Sequence, residues 1–205
     1  MKNSRSMAIG FALLAASRLA VAAAPATEAD EYTRYELLAP GSSQFHIAYE
    51  VTATSPGAEA FFNPIRKGSE ASGESVVDLA SGQPLAFDVV AGPEARRGGL
   101  VDAEDGVSYI RVKLARPVPR DGGARLRIEK TYRDVKSYSA AGDTIVFSRS
   151  LGIRRNAIVL PAGYELTECN IPAQVFREPD GRIRVSFMNV SPDAASVVVR
   201  GRKLP

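Results

Sequence analysis

The chain has 205 residues, with 26 Lys and Arg against 23 Asp and Glu, a formal charge of +3 and a sequence pI of about 9.1. Three of those bases, Lys2, Arg5 and Arg18, fall in the first 26 residues, which hold no acid, so the remainder balances 23 against 23. That balance excludes the strong basic excess of a nucleic-acid binder, and a lone cysteine, Cys169, excludes an intrachain disulfide.

The first 26 residues have the layout of a secretory signal: a positive start, an apolar run from Ala8 to Ala16, and small residues from Ala20 to Ala26. Ser17 and Arg18 interrupt the apolar stretch, so neither half reaches the roughly 20 residues a spanning helix needs. The reading is a cleaved signal peptide, with small-x-small sites after Ala22 and after Ala26, and a product that does not span the membrane. A periplasmic or secreted location follows, in a bacterial envelope.

Residues 27–31 form a short polar segment, and one β domain is expected over residues 32–205. Strict alternation marks four half-buried strands. In Gln44 to Ala53, the residues Phe45, Ile47, Tyr49 and Val51 share a face. In Val107 to Ala115, Ile110, Val112 and Leu114 do so. In Ala124 to Tyr132, Leu126, Ile128 and Lys130 do so, and in Arg182 to Met188, Ile183, Val185 and Phe187. Weaker runs lie at Tyr32–Leu38, Ser75–Leu79, Pro84–Val90, Thr144–Ser148, Asn156–Leu160, Tyr164–Glu168, Ala173–Glu178 and Ala195–Arg202. Turn formers separate them, and Glu178-Pro179-Asp180-Gly181 between two alternating runs predicts a hairpin. Ala91 to Glu104 reads as a long loop. The fold class is therefore all-β, an antiparallel β-sandwich or two small β subdomains with a break near residues 137–142.

Most catalytic arrangements find no residues here. His46 is the only histidine and lies 123 positions from Cys169, with no H-E-x-x-H for zinc and no G-x-S-x-G elbow for a Ser-His-Asp triad. No P-loop and no G-x-G-x-x-G is present. No cofactor is expected. Asp102, Glu104 and Asp105 cluster in one turn and offer either paired carboxylates or oxygen ligands for Ca²⁺, though the full calcium-loop spacing is missing. Cys169 is expected to be buried and inert. The densest segment is Phe147 to Asn156, where Arg149, Arg154 and Arg155 bracket Gly152 between two strands. Either these arginines face solvent as one anion-binding loop, or they pair internally with the acidic first half of the chain.

Asn156-Ala-Ile-Val-Leu-Pro-Ala-Gly-Tyr-Glu-Leu166 combines a strand, a Pro-x-Gly-aromatic turn and a second strand, after the alternating Leu126 to Tyr132. This order resembles the N-terminal β domain of M1-type metallopeptidases, over about Val107 to Arg202, and uncharacterised exported bacterial β proteins share the likeness. The resemblance implies an all-β, non-catalytic domain, and with the zinc motif missing it carries over no catalytic residue. Two functions remain. The first is an exported, non-enzymatic module that binds or supports an envelope protein or anionic polymer through Arg149, Arg154 and Arg155. The second is a small carboxylate-dependent hydrolase acting on envelope polysaccharide.

Overall fold

The computed structural model describes residues 31–205; the signal segment and residues 27–30 lie outside the described residues. In chain order the elements are β1 (Tyr32–Leu37), β2 (Gln44–Ala53), β3 (Ala60–Pro64), β4 (Glu70–Asp78), β5 (Phe87–Ala91), α1 (Gly92–Arg97), β6 (Ser108–Lys113), β7 (Ala124–Arg133), β8 (Tyr138–Ala141), β9 (Thr144–Leu151), β10 (Arg155–Val159), β11 (Tyr164–Cys169), β12 (Gln174–Arg177), β13 (Ile183–Met188) and β14 (Ala195–Lys203). They build three sheets: a large one in the order β12-β13-β10-β1-β2-β7-β4, a four-stranded β11-β14-β9-β8, and a three-stranded β3-β6-β5. The protein is an all-β sandwich. Among its strand pairs β1 and β10 run parallel, from Tyr32 opposite Arg155 to Glu36 opposite Val159, which departs from a purely antiparallel design.

The period of two decides the layers. One face of the large sheet carries Tyr35, Leu37, Phe45, Ile47, Val51, Leu126, Ile128, Ile158 and Val185, and both smaller sheets pack against it in a single core. Phe147 on β9 is the hinge of that contact, with its ring 5.5 Å from Tyr35 and 5.5 Å from Phe45. Each such buried aromatic or branched side chain contributes roughly 1.5–3 kcal/mol by leaving water. The hairpin at Glu178 forms as expected: the Glu178 N–H donates to Arg182 O, and Gly181 takes a positive φ of 86° that a Cβ would oppose.

Two stretches read as linker or loop form regular elements. Residues 138–141, read as a linker, form β8, with Tyr138 opposite Phe147 and its phenol buried in the same core. The Ala91–Glu104 loop contains α1, whose Ala95 packs with Val90, Ala103 and Tyr109 on the outer face of the three-stranded sheet. Six residues are too few to show a helical period. Gly92 lets that helix start beneath the following loop, because a Cβ there would lie 2.0 Å from Glu104 O. Cys169, expected in the core, is half-buried at a strand end with Sγ 3.3 Å from Ile171 O. Among the described residues no helix is long and apolar enough to cross a membrane.

Candidate functional site

The three arginines singled out in the sequence separate in the structure. Strand β9 runs past Ser148 to Leu151, so alternation sends Arg149 inward with Phe147 and Leu151. Its side chain is 7% exposed, which corrects the expectation of a solvent-facing loop residue. Arg154 is exposed on the short connection. Arg155 begins β10, half-buried, and its Nε donates to Glu31 O at 3.3 Å. The three share no surface. The internal pairing alternative holds for Arg149, whose partner, Asp134, belongs to the acidic first half.

Arg149 belongs instead to a polar knot at the rim of the sandwich. Its guanidinium carbon lies 5.4 Å from the ring centre of Phe45, 5.5 Å from Tyr132 and 6.0 Å from Tyr35, an aromatic cage of the kind that favours a cation. Nη1 donates to Asp134 Oδ2 at 3.2 Å and to Ser137 Oγ at 3.1 Å. Asp134 closes the β7–β8 turn. Its Oδ1 accepts the N–H groups of Lys136 and Ser137, at 3.0 and 3.1 Å, and its Oδ2 accepts the hydroxyls of Ser137 and Ser69, at 2.7 and 3.2 Å. Two carboxylate oxygens offer about four acceptor sites, and five donors already address them. Burial alone would raise the Asp134 pKa; the Ser137, Lys136 and Ser69 hydrogen bonds outweigh it and hold the carboxyl below its usual range. Burial pulls the Arg149 guanidinium below its ordinary value, and the nearby Arg66 adds to that.

Around the knot lies a cleft of about 290 Å³. The β3–β4 loop contributes Arg66 and Lys67, the β7–β8 turn Asp134, Lys136 and Ser137, and the rim of β9 Ser148, Arg149 and Ser150. Arg66 is anchored through its own N–H to the Tyr132 hydroxyl at 3.1 Å, and its Nη1 reaches Ser150 O at 3.3 Å. Lys67 and Lys136 are exposed and make no side-chain hydrogen bond or ion pair among the described residues. Four bases thus face one carboxylate that is already saturated. Such a set suits an anion: it offers charge and fixed donors, and no group placed to abstract a proton from a bound molecule.

Behind the cleft, Lys130 occupies the inner face of β7 between Ile128 and Tyr132 and donates to Asn63 on β3. It is 4% exposed. Burial, with repulsion from Arg149, lowers its pKa from 10.5 to about 8. The alternation in Ala124 to Tyr132 places this lysine on the apolar face, and the structure keeps it there. Arg66, Lys67, Asp134 and Lys136 carried no such signal, because a basic or acidic residue in a turn is ordinary in sequence.

The other sequence candidates stay apart from this site. His46 lies on the outer face of β2, 3.9 Å from Glu129. In the acidic turn, Asp105 pairs with Arg96 at 2.5 Å, while Asp102 and Glu104 point into solvent. Among the described residues, no group of three His, Cys, Asp or Glu is placed to hold a metal.

No family model matches the chain, and no curated protein is similar to it at a significant level. Solved structures are. An M1 zinc metallopeptidase from Deinococcus radiodurans superposes with a TM-score of 0.51 at 11% identity, over 84% of this chain and 41% of that one. A two-domain M1 zinc metallopeptidase mutant bound to L-tryptophan gives 0.50 at 10% identity, with the same coverage. At such identities the likeness shows the fold alone, and the chain spans about two fifths of the proteins it matches. The fit agrees with a β domain of that architecture. The zinc named for those proteins does not fit here: one histidine and one cysteine on separate sheets, without a carboxylate cluster, are the wrong donor set.

Proposed function

We propose that the chain is an exported, non-enzymatic β-sandwich module that binds an anionic partner in the bacterial envelope, and that the cleft between Arg66, Lys67, Lys136 and Arg149 is its contact. The observation that carries this reading is the imbalance of charge at that rim: four bases around a carboxylate whose oxygens are fully engaged. A surplus built on a rigid sheet edge raises the local concentration of anions and is costly to maintain without a ligand. The signal layout supports the envelope location, and the fold likeness supports the β architecture of the module. Arg154, exposed and outside the cleft, contributes at most long-range attraction in this reading, and Arg155 belongs to the opposite face of the large sheet.

The test is retention on an anionic envelope fraction at low salt. Lys67→Gln with Lys136→Gln is expected to abolish most retention and leave the melting temperature unchanged, since both side chains are exposed. Undiminished retention would overturn the assignment of the cleft. No observation favours the hydrolase reading, whose carboxylates are solvent-facing or already paired with Arg96.

A further inference from the structure

We infer that the anion held in this cleft is a phosphoryl group, presented as a phosphomonoester. This rests on the module reading and sharpens it, because it names the ligand chemistry of the same site.

Three features point to a tetrahedral dianion rather than a carboxylate. First, the cleft is lined by donor-bearing residues from three separate elements: Arg66 and Lys67 of the β3–β4 loop, Lys136 of the β7–β8 turn, and the rim of β9. A planar carboxylate presents two oxygens to one fork, whereas a phosphoryl group presents three terminal oxygens to donors on different sides.

Second, the rim of β9 contributes backbone. Strand β8 starts at Tyr138, and Ser148 donates its N–H to Ser137 O at 2.8 Å, just before that start. Alternation turns the N–H of Ser150 to the same side, two residues further on, where β8 no longer runs. The Ser150 carbonyl on that side is taken by Arg66. An N–H beside a guanidinium, at a strand edge facing a cleft, is a donor pair for a phosphoryl oxygen.

Third, charge and size agree. Four bases and one acid line the cleft, and a phosphomonoester carries close to two negative charges at neutral pH, because its second pKa is about 6. A phosphoryl group fills only part of 290 Å³. The remaining volume, which Ser196 also lines, leaves room for the esterified alcohol. Glu70, the first residue of β4, lies 3.7 Å from Arg133 and does not line the cleft.

The experiment uses the exported chain and three probes: inorganic phosphate, glycerol 3-phosphate and acetate. Titration is followed by amide NMR and by calorimetry. We expect the Ser150 and Lys67 amides to shift with both phosphates and not with acetate. The ester should bind about tenfold tighter than inorganic phosphate, and affinity should fall below about pH 6 as the second proton returns. Lys67→Gln with Lys136→Gln should weaken binding by about tenfold at unchanged melting temperature. Equal response to acetate would overturn the phosphoryl assignment while leaving an anion-binding cleft. Retention on envelope material without any response to the small phosphates would overturn it too, with the module reading intact. Loss of both retention and phosphate response in the wild-type chain would overturn both.

Discussion

The outer face of the large sheet and the rim cleft use the same residue types to opposite ends. On the outer face, alternation puts Arg34, Glu36, His46, Glu50, Arg125, Arg127 and Glu129 on neighbouring strands, and they neutralise one another. Arg34 bonds Glu36 at 2.6 Å and Glu178 at 3.2 Å, Arg182 reaches Glu36 at 3.0 Å, and Arg125 reaches Glu50 at 3.1 Å. Burial alone would raise the Glu36 pKa, but hydrogen bonds from Arg34 and Arg182 hold it below the usual range. In the cleft, a single acid is shared by the turn backbone, two serines and Arg149, and the three further bases have no acid of their own among the described residues. The difference shows where charge serves the fold and where it is left over for something outside it.

The largest effect that could break this contrast is at Arg149. Arg149→Met keeps the aromatic cage filled but leaves Asp134 buried without its cation, and is expected to cost about 3–5 kcal/mol in chemical denaturation. A loss below about 1 kcal/mol would mean that Asp134 does not depend on Arg149 as its partner.

Lys130 comes next. Lys130→Met removes a desolvated cation but leaves the buried Asn63 Oδ1 without its donor, so the two effects oppose and stability at pH 7 is expected to change by less than about 2 kcal/mol. The pH dependence has a definite sign. The unfolded lysine holds its proton up to about 10.5 and the folded one only to about 8. Between those values the unfolded state binds more protons, so stability rises with pH, by roughly 2–3 kcal/mol from pH 8 to pH 10. Tyr138, raised by burial to about 12, acts in the opposite direction above pH 10. Wild-type stability should therefore peak near pH 10, and the rise should be missing in Lys130→Met. A flat wild-type profile over that window would mean that Lys130 is not held in a desolvated site.

The outer face should respond least. Glu129→Gln is expected to change stability by less than about 1 kcal/mol, and by less still at high salt. Arg154→Gln, at an exposed site whose side chain has no partner among the described residues, should be neutral in melting experiments.

Much of the fold was legible because period-two alternation is a local property of the chain. Gln44–Ala53, Ala124–Tyr132 and Arg182–Met188 all bury the face that alternation selects. What escaped was short or depended on partners. Strand β3 has five residues and ends in Asn-Pro, so propensity argues for a turn, and pairing with β6 overrides it. Strand β8 reads as a loop because its Ser and Ala residues gain their place only by pairing with β9. Arg149 illustrates the limit at the site. Ile145, Phe147, Arg149 and Leu151 alternate in the sequence and announce an inward arginine, yet ending the strand at Ser148 placed it in a loop. The cleft joins residues 66, 136 and 149, and no local pattern links positions that far apart.

If the surplus charge at the rim holds a phosphoryl ligand while the charges of the outer face pair among themselves, a phosphomonoester should stabilise the fold through the cleft alone. The most direct measurement is the melting temperature in glycerol 3-phosphate against chloride at matched ionic strength, for the wild type, for Lys67→Gln with Lys136→Gln, and for Glu129→Gln. Ligand at about 100 times its dissociation constant stabilises a protein by about 2.7 kcal/mol. The melting temperature should rise in the wild type and in Glu129→Gln, and stay unchanged in the double variant. An equal shift in all three, or none in the wild type, would contradict the phosphoryl assignment.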